Sequence, residues 1–224
     1  MNLYPVTILE NFYDHPDEVR RFALSQKYQY RRDIKGANYV FPGCRTKDLS
    51  LINKTLFEKV SKKIISLFHH PEHDYMQWAI TSNFQSVSAE YGRGVIHADQ
   101  NTVFAAVLYL SPDAPLDAGT SLFKPNAQFD EAKYQQCLVD NDQRFAQGEI
   151  VMDTSYHAMF DEVVRVNNVY NTLILYEGRH FHAANQFFGK TLKDSRLAQV
   201  FFVSKIDAQQ YSSFPVRRAQ MVKV

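Results

Sequence analysis

The residues best placed to do chemistry together are His97 and Asp99, in the run Val95-Ile96-His97-Ala98-Asp99. On a β-strand, side chains two residues apart point to the same face, so this imidazole and this carboxylate converge. They make two-thirds of a 2-His-1-carboxylate facial metal site, a ligand set that leaves coordination positions open for reactants. The third ligand must come from elsewhere. Tyr176-Glu177-Gly178-Arg179-His180-Phe181-His182 offers two imidazoles of the same parity at a strand–turn–strand corner. His182 is preferred, because Phe181-His182-Ala183-Ala184 resumes a strand whose small residues leave room for an ion. His180 is then expected nearer the turn, at the mouth of the pocket.

Arg196 follows His182 by 14 residues and opens the run Arg196-Leu197-Ala198-Gln199-Val200-Phe201-Phe202-Val203. With Gly189 between them, a hairpin is expected to return the chain beside the His182 strand. Arg196, Ala198, Val200 and Phe202 would then share a face. A lone guanidinium on an otherwise apolar face is costly to bury without an anion. A dicarboxylate is an anion that guanidinium grips in bidentate fashion. The plain alternative is a solvated arginine at the start of a strand.

The elements that must position these residues are mostly short strands. From about Gln77 onward, β-rich runs cover 77–90, 95–99, 103–110, 120–124, 163–167, 170–176, 181–184 and 196–204, separated by clusters such as Gly92-Arg93-Gly94 and Ser111-Pro112-Asp113. Many short strands at this spacing predict a mostly β (α+β) protein, a sandwich or jelly roll. Asn83 and Gln85 share parity on the first run, and one of them is expected to face the pocket. The first 75 residues read as a largely helical support after a strand at Val6-Thr7-Ile8. Asp14-His15-Pro16-Asp17-Glu18 is a helix start signal, with proline and two acids in the first turn. A second helix is expected from about Ser50 to Phe68. Residues 126–160 read as an insertion, partly helical around 130–138, of the kind that forms lids. No repeat or linker divides the chain, so one domain is expected over 1–224, with the core at about 76–206.

The 224 residues carry a net charge of +1, so no global field favours nucleic acid or an anionic membrane. The N-terminal Met1-Asn2-Leu3-Tyr4-Pro5 lacks a signal-peptide pattern and no apolar stretch is long enough to span a bilayer, so a cytoplasmic protein is expected. Cys44 and Cys137 have no zinc-type spacing and are expected as free thiols. His69, His70, His73 and Asp74 form a dense cluster after the second helix, where imidazoles suit the helix dipole. His157 is expected at the surface or against substrate, and Trp78 in the core.

Taken together, HxD at 97–99, His182 and Arg196 resemble the Fe(II)/2-oxoglutarate-dependent oxygenase family, especially its small prolyl-4-hydroxylase-like bacterial and phage members. Tyr91-Gly92-Arg93-Gly94 is similar to that group's approach to the HxD, Val107-Leu108-Tyr109-Leu110-Ser111 to its following strand, and Gly119-Thr120-Ser121-Leu122 to its GGT segment. Ile8 to Tyr13 and Phe41-Pro42-Gly43-Cys44-Arg45 also resemble segments of such proteins. The resemblance implies a double-stranded β-helix (jelly-roll) core braced by N-terminal helices. It implies Fe(II) held by His97, Asp99 and His182, with 2-oxoglutarate and O2 filling the open positions. The products would be succinate, CO2 and a hydroxylated substrate, either a peptide or protein residue or a small metabolite. The chain departs from the family in two places. Ala198 stands where many members have the serine of Arg-x-Ser, so another donor must reach the co-substrate's distal carboxylate, and Tyr109 or Tyr91 is expected to supply it. Ala118 replaces the first glycine of GGT. Thr120 and His180 join Asn83 and Gln85 as expected pocket residues. Two other readings use the same ligands: a non-catalytic, cupin-like metal-binding jelly roll, and a zinc hydrolase. Neither has a use for Arg196.

Overall fold

Alternating apolar residues sort the chain into two antiparallel sheets. The structure, a computed structural model, describes residues 3–34, 41–68 and 76–208. In chain order the elements are β1 (Val6–Leu9), α1 (Pro16–Leu24), β2 (Tyr28–Tyr30), β3 (Cys44–Thr46), α2 (Leu49–Ile52), α3 (Lys54–Ile65), β4 (Met76–Val87), β5 (Phe104–Tyr109), β6 (Thr120–Pro125), α4 (Glu131–Gln147), β7 (Phe160–Val166), β8 (Leu173–Glu177), β9 (Phe181–Ala184) and β10 (Arg196–Ala208). The major sheet runs β1-β8-β5-β10-β4-β3-β2 and the minor sheet β7-β6-β9.

Strand parity sorts the buried residues into three clusters. One face of the major sheet, with Phe84, Phe104, Leu108, Leu197 and Phe201, packs against Ala23 of α1, Leu49 of α2 and Val60 and Ile64 of α3. These helices brace the sheet, as expected of amphipathic N-terminal segments. The opposite face, with Ala105, Val107, Tyr109, Ile174, Tyr176, Ala198 and Val200, meets Leu122 of the minor sheet. The far side of the minor sheet is closed by α4, where Tyr134, Cys137 and Phe145 pack with Phe123, Tyr156 and Phe160. This two-sheet arrangement with flanking helices is the double-stranded β-helix.

Several expectations are corrected. The second helix is broken at Asn53, whose backbone leaves the helical region (φ −156°, ψ 86°) and whose side chain accepts from the Leu56 amide at 3.0 Å. An asparagine that caps its own downstream helix in this way ends the upstream one. The N-terminal third contributes β2 and β3 to the major sheet as well as helices; three-residue strands leave no readable alternation. The helix in the insertion continues past the expected 138 to Gln147 and stops at Gly148, which takes φ 87°. No hairpin joins β9 to β10: β9 pairs with β6 in the minor sheet, while β10 lies between β5 and β4 in the major one. Trp78 is 37% exposed, not core. Cys44 and Cys137 are buried free thiols, as expected. The His69, His70, His73 and Asp74 cluster lies outside the described residues. Among the described residues, no helix is long and apolar enough to cross a membrane.

Candidate metal centre

Residues 95–99 do not form a regular strand; the segment is held by a single reciprocal bridge. The His97 amide donates to the His182 carbonyl at 3.1 Å, and the His182 amide donates back to the His97 carbonyl at 2.9 Å. Directly bridged residues project their side chains to the same face, so this pair brings two imidazoles together from positions 85 residues apart. Asp99 follows by two-residue alternation, its amide anchored on the Gly178 carbonyl at 2.8 Å. The result is compact: His97 Nε2 lies 3.5 Å from Asp99 Oδ1, and His182 Nε2 lies 3.6 Å from Asp99 Oδ2. The ligand atoms of all three residues fall within 4.8 Å of one another, a grouping able to hold one metal ion.

Two further observations fit a metal. Each imidazole has its Nδ1 at 2.9 Å from a carbonyl oxygen, that of Val95 for His97 and that of His180 for His182. A carbonyl only accepts, so Nδ1 carries the proton and the Nε2 lone pair faces the centre, the usual way a protein fixes a ligating histidine. Asp99 Oδ2 is buried without a hydrogen bond. Such an oxygen is costly unless a cation satisfies it.

Electrostatics agrees. Burial alone would raise the Asp99 pKa, but the neighbouring His97 and His182 bring it down to about 2. Burial, reinforced by the neighbouring His97, lowers His182 to about 4, which keeps it neutral and able to ligate. His97 is shifted the other way: burial works against its cation, and the Asp99 carboxylate overcomes it.

The centre opens into a cavity of about 440 Å³ between the sheets. That lies within the range of small-molecule sites. At its inner end Arg196 is 5% exposed, with Nε donating to the Ala118 carbonyl at 3.1 Å and Nη2 at 3.5 Å from Thr120 Oγ1. Its guanidinium lies 5.5 Å from the Tyr109 ring centre. Among the described residues, no carboxylate stands within ion-pair distance of it.

The expected residues do not all gather here. His97, Asp99, His182, Arg196, Thr120 and Gln85 line the cavity. Tyr109 is fully buried behind it, donating from its hydroxyl to Thr120 Oγ1 at 2.9 Å. Tyr91 does not reach it: the turn at Ala89–Tyr91 ends on Gly92 (φ 68°) and sends the ring against Phe145 of α4. Asn83 binds the Thr46 carbonyl at 3.0 Å and is also absent from the lining. The His180 ring rests on Tyr4, and this residue serves the centre through its carbonyl. His157 lies under the insertion with its ring against Tyr156, away from the cavity. The lining residues that were not expected include Tyr176, whose ring lies 4.8 Å from that of His182, Phe187 and Arg45. Parity on the 170–176 run would have put Tyr176 on the same face as Ile174, but could not separate cavity from core.

A family model, described as a family of unknown function (DUF6445), matches residues 2–196. The chain belongs to DUF6445. No curated protein matches this DUF6445 chain. Among solved structures, it is similar to HygX from Streptomyces hygroscopicus, solved with nickel and 2-oxoglutarate bound (10% identity, TM-score 0.53, covering 90% of this chain and 83% of HygX). It is also similar to SnoN, the non-haem α-ketoglutarate-dependent epimerase from nogalamycin biosynthesis (12%, TM-score 0.52, 97% and 88%). A third is AviO1 from Streptomyces viridochromogenes Tue57 (12%, TM-score 0.53, 90% of each chain). The DUF6445 chain therefore has the fold of the 2-oxoglutarate oxygenases, as its motifs led one to expect.

Proposed function

We propose that this chain is an Fe(II)- and 2-oxoglutarate-dependent dioxygenase that hydroxylates a C–H bond, releasing succinate and CO2. The observation that carries this reading is the presence, in one cavity, of a preorganised His/Asp/His group and a buried guanidinium that lacks a carboxylate partner among the described residues. HygX, which shares the fold, binds a metal and 2-oxoglutarate together. A zinc hydrolase or a cupin-like binding protein has no need of Arg196 at this place.

An iron ion held by His97, Asp99 and His182 would supply, with 2-oxoglutarate and O2, the oxidising power for the reaction. The chain's own residues do the rest. Asp99 stays ionised and His182 neutral across the physiological range, so both are ready to ligate without losing a proton. Arg196 grips the distal carboxylate of the co-substrate and sets its direction towards the centre. Thr120 stands beside it as a second donor, since its oxygen already accepts from Tyr109 and its own proton is left to point elsewhere. Tyr176, Phe187 and Val200 wall the chamber and exclude water from it.

Anaerobic addition of Fe(II) and 2-oxoglutarate should give a weak visible charge-transfer band, and exposure to air should release succinate. Absence of both sinks the proposal. His182→Ala should abolish iron binding and the band, whereas His180→Ala, which removes a ring but keeps the carbonyl, should retain both. The reverse pattern would make His180 the ligand.

A further inference from the structure

Tyr176 of β8 is 2% exposed, yet it lines the cavity with its ring 4.8 Å from that of His182. Its hydroxyl has no hydrogen-bond partner among the described residues. Three other buried tyrosines spend theirs on protein groups: Tyr13 on Gln199, Tyr109 on Thr120 and Tyr156 on the backbone of Ile96. A phenol at such a place needs an acceptor, because a buried hydroxyl without one is costly. Water serves in the empty chamber. A ligand that displaces the water must replace its bond.

Register gives the phenol its room. β5 lies between β8 and β10, and Tyr176, Ala105, Tyr109 and Ala198 share the face towards the minor sheet. Ala105 is the direct partner of Tyr176, and Ala198 that of Tyr109. Two methyl side chains leave space above the sheet for a longer one to lie across it. The hydroxyl is within electrostatic reach of Asp99, at the metal end of the chamber, and of Arg196, at the other. Burial, reinforced by the charge of Asp99, holds its pKa well above the usual tyrosine range, so it keeps its proton and donates. A carboxylate offers about four lone-pair sites. Arg196 spends Nε on the Ala118 carbonyl, which leaves its two Nη groups for a fork, and Thr120 adds a third donor. Gln85 and His182 also line the cavity, but their donors are committed to the Pro42 and His180 carbonyls. Among the buried lining residues described, Tyr176 is the side-chain donor left for the fourth site.

We propose that Tyr176 is a binding residue for the co-substrate: its hydroxyl donates to the carboxylate that Arg196 holds, and so makes the site selective for a 2-oxo dicarboxylate over a 2-oxo monocarboxylate. This rests on the oxygenase reading, which lays 2-oxoglutarate between the metal and Arg196.

The test uses the full chain, anaerobic and loaded with Fe(II). It is titrated, by visible band and calorimetry, with 2-oxoglutarate and with 2-oxopentanoate, which has the same carbon chain but no distal carboxylate. Tyr176→Phe should weaken 2-oxoglutarate binding by about 10–100-fold, as for a hydrogen bond to a charged group. Binding of 2-oxopentanoate and of Fe(II) should stay as in the wild type. The ratio of the two oxo-acid affinities is the readout, because a general loosening of the fold weakens both ligands together. Tyr176→Met, which removes the ring as well, should lose the same selectivity, so a Phe variant that folds poorly does not leave the question open. An unchanged ratio in both variants overturns the assignment, as does equal weakening of both oxo-acids, which would reduce Tyr176 to packing. A wild-type chain that binds the two oxo-acids equally overturns it too. If 2-oxopentanoate gives no band even with the wild type, the loss of 2-oxoglutarate affinity at unchanged Fe(II) affinity decides, and no loss sinks the proposal. A wild-type chain whose iron centre takes up neither oxo-acid overturns the oxygenase reading itself, and this assignment with it.

Discussion

Ala198 sits where a serine hydroxyl was expected, and Tyr109 is its direct partner across the β5–β10 ladder. The tyrosine ring fills the space and its hydroxyl is spent on Thr120, so the missing donor is displaced by one residue through a hydrogen bond. Thr120→Val keeps the shape and removes the proton. It should weaken 2-oxoglutarate binding by roughly tenfold, in line with a charged hydrogen bond, and leave iron binding intact; an unchanged titration of the visible band would remove Thr120 from this role. Cys44 is a residue-scale case of another kind. Burial pushes its thiol up to about 11, with a compensating contact to the Ser86 carbonyl. The raised value means the neutral thiol is favoured in the fold, so its stabilising contribution is complete below about pH 9 and lost as pH rises towards 11. At pH 8, iodoacetamide should label Cys44 about 100-fold more slowly in the native chain than in urea, and equal rates would contradict the burial.

At the scale of elements, the centre depends on turns as much as on strands. Gly178 holds Asp99 by its carbonyl and packs so closely on residue 102 that an added Cβ would meet the Thr102 carbonyl oxygen at 2.5 Å. Gly178→Ala must move one of these backbones. It should lower iron affinity by about 10–100-fold, as changes behind metal ligands do, without altering any ligand; iron binding as in the wild type would show that the loop absorbs the shift. This dependence on turns and on long-range register also set what was legible in the sequence. HxD and the Phe181–Ala184 run were legible because two-residue alternation is local and holds in extended backbone even where, as at 95–99, a single bridge replaces a strand. Arg45, the partnership of Tyr109 with Thr120, and the placing of β9 and β10 in different sheets were not, because they arise from register between strands far apart in sequence. Tyr91 misled for a related reason: its neighbourhood had the right motif, but a positive φ at Gly92 turned the ring to the other side.

For the molecule as a whole, the proposed function places metal and co-substrate in a cavity roofed by one sheet and floored by the other, so loading should be felt as global stability. A ligand at a hundred times its dissociation constant adds about 2.7 kcal/mol, which for a chain of this size is a rise in Tm of roughly 5–10 °C. Differential scanning fluorimetry should show separate increments for Fe(II) and for 2-oxoglutarate; Arg196→Ala should lose the second and keep the first. A chain whose melting ignores both ligands would not be using this cavity.

The position of β10 has a consequence for how the protein is made. This strand comes last among the described elements, yet it fills the middle of the major sheet, between β4 and β5, and brings Arg196 with it. During synthesis, β4 and β5 therefore emerge with unpaired edges facing each other across a gap, and they wait more than 85 residues for the strand that closes it. Non-local pairing of this kind is slow and leaves edges open to wrong partners. The nascent chain carries His97 and Asp99 early, and the centre is complete only once His182 and Arg196 have followed. Assembly of the centre is in this way tied to the closing of the sheet by β10, and a chaperone that shields open strand edges should raise the yield of folded protein.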